Sequence, residues 1–167
     1  MSDWPEAPAD TQAAGTLHDG ANVLTDGRWF RLEDFACKDG TPYPEAFADR
    51  WPALRILADA VRDLAGPDAL GACLIVSGYR TPEYNARLAV DSAAHQVASG
   101  SQHVEGRAAD IRAIHLPATE LHRRVLGAYG RGGMPGLGGL GLYPRSNWVH
   151  VDTFKAPDGH LRRWSGT

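Results

Sequence analysis

The chain has 167 residues, enough for one domain, and 43% of them are apolar, enough to bury a core. A net charge of −3 argues against a nucleic-acid binder working through a broadly basic face. No apolar run approaches the ~18 residues of a membrane span. Two cysteines, Cys37 and Cys73, cannot make a disulfide scaffold. They read as small buried hydrophobes, with a single bridge left open.

Residues 1–28 are rich in Ala, Gly, Asp and Pro without periodicity and are expected to form a loose arm ahead of a folded domain over 29–167. From Pro44 to Leu64, apolar residues at 47, 51, 54, 58 and 61 mark one helical face. Pro52 belongs in a first turn, which predicts a short helix up to Arg50 and a longer one from Pro52. Gly66-Pro67 ends it. Leu74-Ile75-Val76, bounded by Gly71 and Gly78, predicts a buried strand. Thr81-Pro82-Glu83 combines a cap, an N1 proline and a first-turn acid, and predicts a helix to about Ala94. Residues 97–102 read as a polar loop, 108–114 as a strand and 119–129 as a helix. The Gly-rich stretch 131–141 is a loop for part of its length. Leu140–Tyr143 and Trp148–Asp152 flank a four-residue turn, a hairpin signal. Helices first, then strands mixed with helices, predict an α+β domain.

Three phrases carry chemistry. In the first, Ser101-Gln102-His103-Val104-Glu105-Gly106-Arg107-Ala108-Ala109-Asp110, a His and a carboxylate stand seven residues apart. Both are good zinc ligands. Fully extended, that stretch would span roughly 20 Å, so the two meet only if the chain doubles back. Gly106 can supply the positive φ for such a reversal. The second phrase, Asn147-Trp148-Val149-His150-Val151-Asp152, sets His150 and Asp152 on one strand face. Two His and one Asp leave a coordination position open, the catalytic pattern for zinc. The third, Ser77-Gly78-Tyr79-Arg80-Thr81-Pro82, puts an arginine between a strand and a helix. Arg80 could grip a carboxylate or an oxyanion there. Each phrase also has a plainer reading alone: a His exposed in a turn, a half-buried His beside an acid, and an arginine capping a turn.

The three phrases, in this order, resemble the zinc D-alanyl-D-alanine carboxypeptidase family. That family includes D,D-dipeptidases, murein endopeptidases and phage L-alanyl-D-glutamate endopeptidases, and it shares a fold with the hedgehog signalling domain. The resemblance covers roughly residues 29–164, and the segment Phe35-Ala36-Cys37-Lys38-Asp39-Gly40 is similar to one in phage and prophage members. It implies a single domain with a small antiparallel sheet and helices packed on it. It implies Zn2+ held by His103, Asp110 and His150, with Arg80 near the substrate carbonyl or carboxylate and Ser101 shaping the site. It implies hydrolysis of an amide bond in peptidoglycan stem peptides or cross-links, as a D,D-carboxypeptidase or endopeptidase, by a metal-activated water. Peptidoglycan peptides are then the partners of a monomeric enzyme.

One departure matters. Many members carry an acid, acting as general base, where this chain has Asn147, and Arg145 stands where some carboxypeptidases have His. A subgroup of murein endopeptidases is similar to this chain in having Asn there and His-x-Asp after it. Asp152 is then the candidate base, or the residue that orients the His150 ring. The missing acid keeps a second reading open, a non-catalytic zinc-containing module that binds wall peptide. His18, His95, His115, His122 and His160 match no phrase. The loop 130–141 is the expected wall of a substrate pocket. The N-terminus shows no basic and apolar leader, so the expectation is cytoplasmic synthesis followed by phage-type release or virion association.

Overall fold

The computed structural model describes residues 24–91, 100–134 and 136–166. Three α-helices, α1 (Trp51–Ala65), α2 (Pro82–Asp91) and α3 (Ala118–Gly130), accompany five strands. The strands are β1 (Cys73–Ser77), β2 (Ala108–Ala113), β3 (Gly139–Tyr143), β4 (Trp148–Asp152) and β5 (Arg162–Ser165). They form one sheet in the order β1-β2-β4-β3-β5, antiparallel throughout except for the parallel β3–β5 pair. The architecture is the expected α+β fold.

Helix α1 arises where the apolar period predicts it. Pro52 occupies the first turn, and Leu54, Leu57, Ala58, Val61 and Ala65 form its buried stripe. Each large apolar side chain so buried contributes about 1.5–3 kcal/mol. The chain leaves the helix through Gly66 at φ 143°, which favours glycine. Arginines take up the carbonyls that the helix end leaves free. Arg62 donates to Gly66 O at 2.7 Å, and Arg124 of α3 donates to Leu64 O and Ala65 O at 3.1 and 3.2 Å. The short helix expected before Arg50 is a single 3-10 turn, Glu45–Phe47.

Alternation divides the sheet into two faces. Ala109, Ile111 and Ala113 of β2, Leu140 of β3, and Val149 and Val151 of β4 are buried in the core, where α1 and α3 cover the sheet. The residues between them, among them Asp110, Gly141, His150 and Asp152, point the other way. An aromatic layer from the segment before α1 closes one end of the core. Phe35 and Tyr43 pack on Trp51 with ring centroids 4.9 and 5.2 Å apart, and Phe47 packs on Tyr79 at 5.9 Å.

Strand β5 has no counterpart in the sequence reading. It is short, half of it is charged, and it pairs with β3 rather than with its neighbour in sequence. The Gly-rich loop ends at Gly138, and β3 begins at Gly139. Cys37 and Cys73 are free thiols. The loose arm expected over 1–28 lies outside the described residues as far as residue 23. Residues 24–28 are tied to α1: the Trp51 indole donates to Thr25 O at 2.7 Å, and Arg28 N donates to Asp59 at 2.8 Å. The later part of the expected 82–94 helix, residues 97–99 of the polar loop, His18 and His95 also fall outside the described residues. Among the described residues, no helix is long and apolar enough to cross a membrane.

Candidate metal centre

His103 sits in the turn that leads into β2. That turn closes because Gly106 adopts φ 62°, with its N–H on His103 O at 3.2 Å. A side chain at 106 would also meet the Phe47 ring at 2.5 Å. The Tyr43 hydroxyl donates to Gly106 O at 2.7 Å, so the aromatic layer holds the turn from below. From the other side, Arg80 N donates to His103 O at 3.2 Å, and the His103 ring donates from Nδ1 to Gly78 O at 2.6 Å. This second bond leaves Nε2 with a free lone pair.

Asp110 and His150 face each other across the β2–β4 pair. Non-local pairing therefore unites the first two phrases. His103 Nε2 lies 3.2 Å from Asp110 Oδ1 and 3.2 Å from His150 Nδ1, and the last two atoms are 3.0 Å apart. All three residues are buried, and each offers a ligand atom to one point. An ion about 2.0–2.2 Å from all three atoms fits over such a triangle with a coordination position to spare. The donor set suits zinc: two imidazole nitrogens and one carboxylate oxygen.

The third phrase joins through an irregularity. Ile75 pairs with Ile111, but Ser77 pairs with Asp110, because the register shifts between Ile75 and Ser77. A regular ladder would put Val76 beside Asp110. The extra residue turns Ser77 to the metal face instead. Ser77 Oγ then accepts from Arg80 Nε at 2.9 Å, and Arg80 Nη2 donates to Asp110 Oδ2 at 2.8 Å. Arg80 thus holds the carboxylate oxygen turned away from the triangle. Its Nη1 makes no hydrogen bond among the described residues. Ser101 opens the turn that carries His103, with its carbonyl accepting from Val104 N at 3.0 Å.

Asp152 lies behind His150, on the ring edge opposite the triangle. Its Oδ2 accepts from His150 Nε2 at 3.1 Å. Its Oδ1 accepts from Arg162 Nη2 at 2.6 Å and from Phe154 N at 2.9 Å. Asp152 is 0% exposed and both its oxygens are engaged. Trp164 packs on the His150 ring with centroids 5.0 Å apart. Both β5 side chains reach β4 across β3, because β3 carries Gly139 and Gly141 on this face. A methyl at 139 would stand 2.1 Å from Asp152 Oδ2, and one at 141 would stand 2.6 Å from the Trp164 indole. The sequence reading missed Arg162 and Trp164. The alternating glycines of β3 were the available signal, since glycine inside a strand often marks a close approach.

Burial would lower the affinity of both imidazoles for a proton. For His103 burial prevails and its pKa is lowered. For His150, hydrogen bonds to Asp110 and Asp152 override burial and raise it to about 9. Burial would raise the Asp110 carboxyl, but the charges and hydrogen bonds of His103 and His150 hold it well below the usual carboxylate range.

Asn147 is turned away from this centre. It adopts φ 56° at the end of the β3–β4 turn, and its Oδ1 accepts from Ala118 N at 2.8 Å, capping the first turn of α3. The expected pocket wall, 130–141, runs behind the sheet in part: Met134 and Leu137 are core residues, while Gly139 and Gly141 lie against the metal-face side chains Asp152 and Trp164. A surface groove of about 460 Å³ lined by His122, Leu142, Leu161, Arg163, Trp164 and Ser165 includes none of the three candidate ligands.

Residues 55–164 match a family described as peptidoglycan L,D-endopeptidase MepK. A relative from Haemophilus influenzae, named "Probable peptidoglycan L,D-endopeptidase MepK", is 33% identical over 92 residues, 55% of this chain and 42% of the relative. The peptidoglycan L,D-endopeptidase MepK of Escherichia coli strain K12 is 33% identical over 90 residues, 54% of this chain and 42% of the relative. The matched part thus spans less than half the length of these curated relatives. No solved structure matches the chain significantly.

Proposed function

This chain belongs to the peptidoglycan L,D-endopeptidase MepK family, and from that premise we propose that it is a zinc peptidase cutting an amide bond in peptidoglycan stem peptides or cross-links. The observation that carries this reading is the buried triangle of His103 Nε2, Asp110 Oδ1 and His150 Nδ1, with sides of 3.0–3.2 Å. The relatives' name favours an L,D bond over the D,D bonds that related enzymes cut. When bound, zinc lowers the pKa of a water molecule and polarises a carbonyl.

The chain's own residues supply the rest. Gly78 O and Asp152 fix the two imidazoles with their ligand nitrogens facing each other. Arg80 holds Asp110 with Nη2 and keeps Nη1 for a substrate carbonyl or carboxylate. Ser101 lies at the entrance to the His103 turn and helps shape the site. Asp152 acts as a positioning residue rather than as the base: it is fully buried on the edge of the His150 ring opposite the triangle, so the ring stands between its carboxylate and a metal-bound water. The place of action is the cell wall.

A second reading has one observation in its favour. The position where many related enzymes carry an acid is Asn147, and its side chain is committed to capping α3. The fold would then hold zinc and bind wall peptide without cutting it. Metal analysis and mass spectrometry of digested peptidoglycan, for wild type and His150→Ala, separate the readings. We expect about one zinc per chain and new muropeptides from wild type only. Equal release by both proteins overturns the peptidase reading. Zinc and muropeptide binding without release supports the binding module.

A further inference from the structure

We infer that β5 is a positioning element for the candidate metal centre: Arg162, acting through Asp152, sets which nitrogen of His150 faces the metal, and Trp164 holds the ring plane. This rests on the metal reading above and extends it to residues outside the three phrases.

His150 can serve through Nδ1 only while Nε2 carries its proton. Asp152 Oδ2 provides for that by accepting from Nε2 at 3.1 Å. Asp152 is itself a fully buried carboxylate two residues along the same strand, and its direction has to be imposed. Arg162 Nη2 and Phe154 N hold Oδ1 at 2.6 and 2.9 Å, which turns Oδ2 toward the ring. Arg162 is anchored in turn on Phe154 O at 3.0 Å. The charged chain Arg162–Asp152–His150 therefore runs from the edge strand into the centre. Charge-assisted bonds of this kind are the stronger ones.

Trp164 acts on the other degree of freedom. Its indole lies on the His150 ring, 5.0 Å between centroids and tilted by 52°. The indole N–H is held by the Tyr143 hydroxyl at 3.0 Å, so the ring is not free to swing away. Both reaches cross β3 where it has no side chain. Gly139 sits in register with Asp152 and Arg162, and Gly141 with His150 and Trp164. The two glycines and the two β5 side chains form one device, and the parallel pairing of β5 supplies its register.

The test is zinc affinity, read by competition with a chromophoric chelator, together with the 15N tautomer signature of His150 in the zinc-loaded full chain. Partners of metal-bound histidines are worth about 10–100-fold in affinity. We expect Arg162→Met to weaken zinc by about tenfold or more and to erode the Nε2–H tautomer. Arg162→Lys restores part of the loss, because the charge remains and the fork geometry does not. Gly139→Ala, whose methyl would stand 2.1 Å from Asp152 Oδ2 and 2.9 Å from Arg162 Nη2, weakens zinc by displacing that pair, and it carries the test of the Asp152–Arg162 device if Arg162→Met does not fold. Arg163→Met, on the opposite strand face, leaves affinity unchanged. Wild-type affinity and tautomer in folded Arg162→Met or Gly139→Ala overturn this inference while leaving the metal reading intact. A wild type that binds no zinc overturns the metal reading itself, and this inference with it.

Discussion

The two faces of the sheet are made by the same strands and obey different rules. On the core face, Ile111, Leu140, Val149 and Val151 meet α1 and α3 through contacts that are numerous, weak and non-directional. On the metal face, Asp110, His150 and Asp152 make contacts that are few and directional, each atom with an assigned partner. Their neighbours in the ladder are two glycines whose value lies in what they leave out. The core face should therefore set stability and the metal face should set affinity, with little exchange between them.

The sharpest way to break that division is His150→Ala. We expect loss of stoichiometric zinc with a retained far-UV circular dichroism spectrum. Collapse of the fold instead would mean that the faces are not separable. Leu140→Ala, on the opposite face of β3, should cost about 2–5 kcal/mol in denaturant unfolding while the native protein keeps wild-type zinc affinity. Asp152→Asn returns to the metal face and should lower zinc affinity by about 10–100-fold, measured by chelator competition.

Asn147 sharpens the comparison from the turn between β3 and β4. Asn147→Ala should cost about 1 kcal/mol through the lost cap on α3 and leave zinc affinity alone. Asn147→Asp, which creates the acid found in many related enzymes, should not raise muropeptide release, because the side chain points to α3. A gain in release would show that the turn can swing toward the metal.

The smallest effect lies beyond both faces, on α3. Glu120 accepts from Arg123 and Arg124, and these bonds lower its pKa to about 2. A depressed carboxylate stabilises the fold above its unfolded value, and that contribution is lost as pH falls through the folded one. The melting temperature of wild type should therefore approach that of Glu120→Gln between about pH 4.5 and 2.

Local signals in the sequence carry the helices well. The apolar steps of α1, Pro52 in its first turn and Gly66 at its end are chemistry within one segment. The reversal between His103 and Asp110 was readable from Gly106 for the same reason. The closure of the triangle was not, because the register of β2 on β4 joins residues forty apart and spacing does not encode it. Motif resemblance had put the three candidate ligands and Arg80 in one expected site, and the structure brings their side chains together. It was silent about Arg162 and Trp164, which act through other side chains and across two glycines. Asn147 reads in the sequence as a missing base, and only its left-handed backbone and its bond to Ala118 N show what it does.

The parallel pairing of β5 also has a consequence in time. Hairpin β3–β4 can close as soon as its four-residue turn is made, and β2 can then join β4. Strand β5 must wait for β3 to be in place and then return along it from the far end of β4. His103, Asp110 and His150 can thus come together before Arg162 and Trp164, which contact Asp152 and the His150 ring, arrive. On the zinc reading proposed above, a refolding chain would pass through a stage that holds the ion loosely, and the site would tighten only when β5 docks on β3.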